Sequence, residues 1–151
     1  MRVQYAGLVD PVAVESAIAQ TYSVEAVTEC IALCSREQSA EFLVAEWHND
    51  VVGYLHFDCF GPEPELHRLY VDAEQRGGGI GALLLDELHA KLGDPHYMLL
   101  VVKGNDRAVA FYRRHGLRLE RFVDGLEYYR ERMGVACPEG TEPFELVLMR
   151  R

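Results

Sequence analysis

Hydrophobic positions along the chain alternate between two periods, and the switches between them outline a succession of strands and helices. A short strand is predicted at residues 3–6. Asp10-Pro11 then supplies an N-cap and a proline at the first helical position, so a helix follows to about Gln20. A second helix over 24–35 places Val27, Ile31 and Cys34 on one face. Strands are expected at 42–46 and 51–57, joined at His48-Asn49-Asp50 into an antiparallel hairpin. Gly61-Pro62-Glu63-Pro64 breaks the chain before the β-prone run Glu65–Val71. From Ile80 the apolar residues fall at 80, 83, 84, 88 and 92, a helical stripe with Asp86, His89 and Lys91 off it, and Gly93-Asp94-Pro95 reads as its stop. Residues 97–102 are almost unbroken in apolar character, as in a strand covered on both faces. Ala108, Phe111, Tyr112 and His115 have helical spacing, with Gly116 as the stop. A strand over 117–123, a hairpin turn at Asp124-Gly125 and a last strand over 144–149 complete the chain. No repeat, low-complexity tract or linker interrupts it, which predicts one α/β domain over residues 1–151.

Between the central strand and its following helix lies Arg76-Gly77-Gly78-Gly79-Ile80-Gly81-Ala82. The first N–H groups of a helix lack intrahelical partners and sit at the positive end of its dipole, so a bare backbone there suits a phosphate or pyrophosphate. A P-loop is excluded, because no Lys and hydroxyl follow the glycines. The dinucleotide fingerprint fits in letters, Gly77-x-Gly79-x-x-Ala82, but five polar residues separate it from its strand and the next strand leads into Lys103-Gly104, not an acid. The third pattern, Arg76-x-x-Gly79-x-Gly81 behind a Leu-Tyr-Val strand, resembles the acyl-CoA loop of the GNAT superfamily of N-acetyltransferases. A second stretch, Asn105-x-x-Ala108-x-x-Phe111-Tyr112-x-x-x-Gly116-Leu117, resembles that superfamily's other signature, with Leu117 in place of the usual aromatic. The resemblance is strongest over residues 65–117, and the connection from 126 to 143 is longer than the family's short hairpin.

The resemblance implies an α/β (α+β) GNAT fold: a central mixed, mostly antiparallel sheet of about six or seven strands with flanking helices. A splayed parallel pair, Glu65–Val71 and 97–102, would hold the pantetheine arm of acetyl-CoA. It further implies that the backbone of Leu69, Tyr70 and Val71 bonds the arm, with a bulge there freeing its groups. Arg76 and the N–H groups of Gly77, Gly78, Gly79, Ile80, Gly81 and Ala82 would hold the pyrophosphate. Asn105 and Ala108 of the second motif join the cofactor-binding positions, and an N–H near Val71 would polarise the thioester carbonyl. Tyr112 matches the family's tyrosine and becomes the proton donor to the departing thiolate. The acceptor amine, with a Lys-like pKa of about 10.4, must lose a proton before attack. Glu65 falls where the histone-acetylating branch carries its glutamate and His67 where the arylalkylamine branch carries a histidine; strand alternation puts both on one face unless a bulge intervenes. Tyr128-Tyr129 resembles tyrosines found near the acceptor amine, and residues 127–142 form either a wall of that site or a homodimer contact, which the sequence leaves open.

Composition narrows the acceptor. The net charge is −9, and residues 1–65 carry all of it, with Arg2 and Arg36 against eleven acidic residues. Residues 66–151 hold thirteen basic and thirteen acidic residues, including Arg76, Arg107, Arg113 and Arg114 near the proposed cofactor loop. Such a distribution repels nucleic acid and favours a cationic partner. An apolar run of about 18 residues is absent, which predicts no membrane span, and a start without a signal-like apolar core predicts a cytoplasmic protein. Cys30, Cys34, Cys59 and Cys137 would then be reduced thiols; neither they nor His48, His56, His89, His96 and His115 show ligand spacing, so no metal is expected. The leading reading is an acetyl-CoA-dependent N-acetyltransferase of a small cationic amine. The alternatives are acetylation of a protein α-amine or lysine, and a catalytically silent acyl-CoA-binding sensor.

Overall fold

The computed structural model describes residues 6–93, 95–131, 134 and 137–151. Residues 3–5 of the first expected strand, and Asp94 of the helix stop, lie outside them. The elements run α1 (Pro11–Thr21), α2 (Val24–Cys34), β1 (Ala40–Trp47), β2 (Asp50–Asp58), β3 (Glu65–Val71), a short 3-10 turn (Ala73–Gln75), α3 (Ile80–Leu92), β4 (Met98–Val102), α4 (Asp106–Arg114), β5 (Arg118–Asp124), α5 (Gly125–Glu131) and β6 (Glu145–Arg150). The strands order as β1-β2-β3-β4-β6-β5, with antiparallel pairs β1/β2, β2/β3 and β5/β6 and a parallel pair β3/β4. This is the mixed α/β sheet expected of the GNAT fold.

The chain divides into two compact units, Cys30–Leu99 with Arg151, and Met1–Glu29 with Leu100–Arg150. In the first, α3 packs on β1, β2 and β3. Its buried side chains are Leu84, Leu85 and Leu88, which meet a core holding Leu55, Phe57, Leu66, Tyr97, Met98 and Leu99. The stripe is therefore turned from the expected one: Leu83 is exposed, and Leu85, two residues on, is fully buried. On α2 the covered positions include Val27, Cys30 and Cys34, while Ile31 faces out. Tyr97 is buried too, and its hydroxyl meets His89 Nε2 at 3.0 Å, which satisfies both polar atoms beneath the helix.

The second unit has its core in Ala13, Val101, Val102, Tyr112, Leu117 and the run Leu146–Met149 of β6. Asp10 Oδ1 accepts the Val12 N–H at 2.7 Å and Pro11 sits at the first helical position, so α1 starts as its letters require. The hairpin expected at Asp124-Gly125 is not formed. Asp124 Oδ1 instead accepts the Glu127 N–H at 2.9 Å and caps α5, so a helix occupies the start of the long connection. An added Cβ at Gly125 would run into the Phe144 ring, which would have to shift to admit it.

Gly53 sets how closely α3 approaches the sheet. An added Cβ would lie 2.9 Å from the Tyr70 carbonyl oxygen and 3.2 Å from Ile80 Cγ2, and backbone cannot yield as a side chain can. We expect Gly53→Ala to lower stability by about 1–3 kcal/mol, read as a fall in the urea midpoint at unchanged slope. A neutral substitution would show that the helix can ride outward freely.

Candidate functional site

The antiparallel pairing of β2 with β3 slips by one residue inside the strand. Phe57 faces Leu66, whereas His56 faces Arg68, so His67 is an extra residue without a partner. The irregularity expected at Leu69–Val71 therefore lies earlier, and residues 69–71 stay in register with 53–55. Without the extra residue, Arg68 would alternate onto the core side with Phe57 and Leu66. With it, His67 and Arg68 meet the polar side chains of β2, Asp58 and His56, and Glu65 lies against His67.

The result is a buried charged cluster. His56, Asp58 and Glu65 are each less than 10% exposed, at 7%, 8% and 5%. His67 Nε2 lies 3.0 Å from Asp58 Oδ2, and its Nδ1 lies 3.4 Å from Glu65 Oε1. The first contact is an ion pair by distance but is misaligned for a hydrogen bond, which leaves that buried Nε2 without a directed acceptor. Asp58 Oδ1 accepts the Phe60 N–H at 3.1 Å. The His56 ring stacks on His67 with centroids 5.0 Å apart; its Nδ1 meets Arg68 Nη1 at 3.0 Å, and its Nε2 meets Asp58 Oδ2 at 3.4 Å.

Burial and charge pull the two imidazoles apart. Burial works against a proton on His67, but the Asp58 and Glu65 carboxylates outweigh it and push the group up to about 9. On His56 burial prevails, joined by the charges of His67 and Arg68, and the group falls to about 4. Burial alone would raise Asp58; the neighbouring His67 and the Phe60 N–H more than offset it and hold the carboxyl below its usual range. At neutral pH, then, His67 is a cation between carboxylates and His56 is neutral.

Past β3 the chain makes the 3-10 turn and enters the glycine run. Gly77 and Gly79 take left-handed backbone, at φ +93° and +85°, with nothing within 4 Å of the Cβ each lacks. Gly79 caps α3 without any side-chain hydrogen bond, and the first helical bond is Leu83 N–H to Gly79 carbonyl at 3.0 Å. The N–H groups of Ile80, Gly81 and Ala82 thus open the helix with no intrahelical acceptor. Gly78 differs: its N–H bonds the Gln75 carbonyl at 3.3 Å, so that donor is engaged in the turn. Arg76 Nε donates to the Val71 carbonyl at 3.1 Å, which ties the loop to the end of β3 and occupies one of the backbone acceptors expected to face the arm.

In the other unit, Asn105 Oδ1 accepts the Ala108 N–H at 3.2 Å as the N-cap of α4. Tyr112 is buried on α4, edge-on to Phe111 with centroids 5.2 Å apart. Tyr128 and Tyr129 lie on α5, and Tyr129 packs near Phe144 at 6.0 Å. Of the 127–142 segment, residues 132, 133, 135 and 136 lie outside the described residues.

Sequence reasoning passed over Asp58, His56 and Arg68. The signal was present as two short patterns, His56-x-Asp58 before the Gly61–Pro64 break and Glu65-x-His67-Arg68 after it. Reading them as facing strands would have paired them. Among the described residues no helix is long and apolar enough to cross a membrane.

Comparison with known proteins bears on the same segment. The family model described as Acetyltransferase (GNAT) domain matches residues 38–118. The spermidine N(1)-acetyltransferase of Thermoplasma acidophilum is 28% identical over 131 residues, which span 85% of this chain and 81% of that protein. The structure of the PaiA N-acetyltransferase from the same organism, in complex with coenzyme A, superposes with a TM-score of 0.74 at 23% identity, covering 99% of this chain and 84% of its own. A ribosomal-protein-alanine N-acetyltransferase from Brucella melitensis gives 0.69 at 22% identity, with 98% and 93% covered.

The opposed histidines predict a stability maximum. His67, raised from 6.5 to about 9, contributes in full below pH 6.5, and that contribution is lost as pH rises through about 9. His56, lowered from 6.5 to about 4, costs nothing above 6.5 and destabilises as pH falls toward 4, with Asp58 adding to the same limb. Unfolding free energy should peak near pH 6.5 and decline on both sides by on the order of 1–3 kcal/mol. His67→Gln should flatten the alkaline limb in urea titrations. An alkaline limb unchanged in that variant would show that the carboxylates do not hold the proton.

Proposed function

Because the chain belongs to the acetyltransferase (GNAT) family, we propose that it transfers an acetyl group from acetyl-CoA to a primary amine of a small cationic acceptor. The observation that carries the acetyl-CoA half is the start of α3: two left-handed glycines and a helix N-terminus that no side chain caps. An anion placed there meets aligned N–H groups and the positive end of a dipole. Ile80, Gly81 and Ala82 would bond the pyrophosphate, with Gly77 and Gly79 admitting it closely. Arg76 holds the loop against β3, and Asn105 and the backbone of Leu69, Tyr70 and Val71 would receive the pantetheine arm.

The transfer is direct attack in a ternary complex. The acceptor ammonium first gives up a proton; its nitrogen then attacks the thioester carbonyl, and the C–S bond breaks as the tetrahedral intermediate collapses. A group with a pKa of about 9 keeps its proton at neutral pH, so His67 is not the acceptor of the ammonium proton there. We assign that role to Glu65, directly or through one water, with His67 fixed beside it at 3.4 Å. Tyr112 supplies the proton that turns the departing thiolate into CoA thiol, and the proton shed by the attacking nitrogen as the amide forms restores its phenol.

The acceptor assignment is supported by charge. Residues 1–65 carry the whole net −9, and a site walled by carboxylates attracts a cation while repelling amines that bear their own carboxylate. A spermidine-acetylating relative at 28% identity points the same way. The second reading, a protein N-terminal acceptor, is favoured by the fold shared with the Brucella melitensis enzyme. Steady-state kcat/KM for a diamine, an amino dicarboxylate and an alanine-initiated peptide separates the two. We expect the diamine to lead and its KM to rise with salt; a preference for the dicarboxylate or the peptide would overturn the small-cation assignment.

Three variants test the machinery. Gly79→Asp should abolish acetyl-CoA binding, because it adds a carboxylate where the pyrophosphate approaches; the open space around the position limits the conformational penalty to about 1–2 kcal/mol. Glu65→Gln should lower kcat/KM by about 10²–10⁴-fold with acetyl-CoA affinity retained. Tyr112→Phe should lower kcat toward the lower end, about 10²-fold, since a thiolate leaves readily. Unchanged single-turnover rates in either of the last two would remove that residue from its role.

A further inference from the structure

The cluster on β2 reaches one more element. Cys30 and Cys34 stand one turn apart on α2, and their Sγ atoms and a ring nitrogen of His56 all lie within 4.8 Å of one another. Cys30 Sγ is 3.2 Å from His56 Nε2, and Asp58 Oδ2 is 3.4 Å from the same nitrogen. Tetrahedral zinc, with Zn–S near 2.3 Å and Zn–N near 2.0 Å, holds neighbouring ligand atoms about 3.5 Å apart. From this juxtaposition we propose that Cys30, Cys34 and His56 form a zinc(II) site, with Asp58 Oδ2 or a water completing the tetrahedron.

The donor set is selective. Two sulfurs and one imidazole favour zinc over the oxygen-seeking magnesium or calcium. His56 is buried and Cys30 and Cys34 are half-covered, so the donors are held in place but reachable. Binding releases protons: each thiol becomes a thiolate, and Cys34, pushed up to about 12 by burial and then by Cys30, is protonated until the metal displaces its proton. Arg68 competes. Its Nη1 donates to His56 Nδ1 at 3.0 Å and to Cys30 Sγ at 3.6 Å, which fixes the imidazole proton on Nε2. Zinc at Nε2 requires that proton on Nδ1, so the guanidinium must turn away from the ring.

Amine attack on a thioester needs no metal, and this ion is not a catalytic one. It acts on the catalytic cluster from outside, because the Asp58 oxygen facing the zinc position is also the one 3.0 Å from His67 Nε2. Coordination by Asp58 would withdraw one of the two carboxylates that hold the His67 proton.

The test uses the full chain, freed of metal by a chelator and titrated with zinc(II) against a chromogenic competitor, and separately with cobalt(II). We expect one saturable zinc per chain, and a cobalt complex with thiolate charge-transfer absorption and the intense visible bands of a tetrahedral centre. Cys34→Ser and the Cys30→Ser/Cys34→Ser pair should weaken zinc binding at least roughly tenfold while unfolding cooperatively. Arg68→Met, by removing the competitor, should tighten it. Absence of saturable zinc binding, a cobalt spectrum without thiolate bands, or undiminished affinity in the folded cysteine variants would each overturn the site. If the double variant does not fold, Cys34→Ser alone decides, since that position is partly exposed and its hydroxyl replaces the thiol nearly isosterically. None of these readouts depends on acetyl transfer.

Discussion

One extra residue in β3 is the constraint that brings Arg68 into the buried charged cluster. A strand turns alternate side chains to opposite faces, so a single slip of register exchanges the faces of everything beyond it. Here the slip occurs at His67 and returns Arg68 to the polar side while Leu66 and Phe57 stay in the core. Alternation alone sets Glu65 and His67 opposite Asp58 and His56, and the slip adds Arg68 to the same small volume. A bulge leaves backbone groups unpaired and sharpens the local twist; it is retained where a side chain must be aimed.

The cluster is an arrangement in which each charge is tolerable only because of its neighbours. Burial opposes charge on His67, His56 and Asp58, yet His67 carries its proton because carboxylates flank it, and His56 remains neutral because burial is joined by the charges of His67 and Arg68. Two histidines 5.0 Å apart thereby take opposite protonation states in one environment. Removing either carboxylate would leave a buried cation under-compensated, a larger loss than that of an exposed pair.

The glycine run obeys a different physics, conformational before it is electrostatic. Gly77 and Gly79 occupy backbone regions that residues with a Cβ enter only at a cost, and the space around them is open. The run therefore reads as a path cleared for something that must touch main chain. Gly53 has the opposite reason: its φ needs no glycine, but the Tyr70 carbonyl and Ile80 stand too near for a Cβ. One kind of glycine leaves the main chain bare, and the other seats the helix that follows.

By itself the sequence determined the order of helices and strands from α1 to β5, the central strand Glu65–Val71 to the residue, the helix opening at Ile80 and the family, because periodicity, caps and glycine motifs act within a few residues. It misplaced what depends on which neighbour an element finds. Leu83 and Ile31 fit an apolar stripe yet face outward, since the buried arc of a helix is chosen by its partner surface. Asp124-Gly125 has hairpin letters but caps a helix, because its side-chain oxygen found the Glu127 N–H first. The joining of Arg68 to His56, and of Cys30 and Cys34 to His56, belonged to the tertiary structure alone. Those contacts depend on the register between β2 and β3 and on α2 lying over β2, and a register is a relation between strands that no single stretch of chain contains.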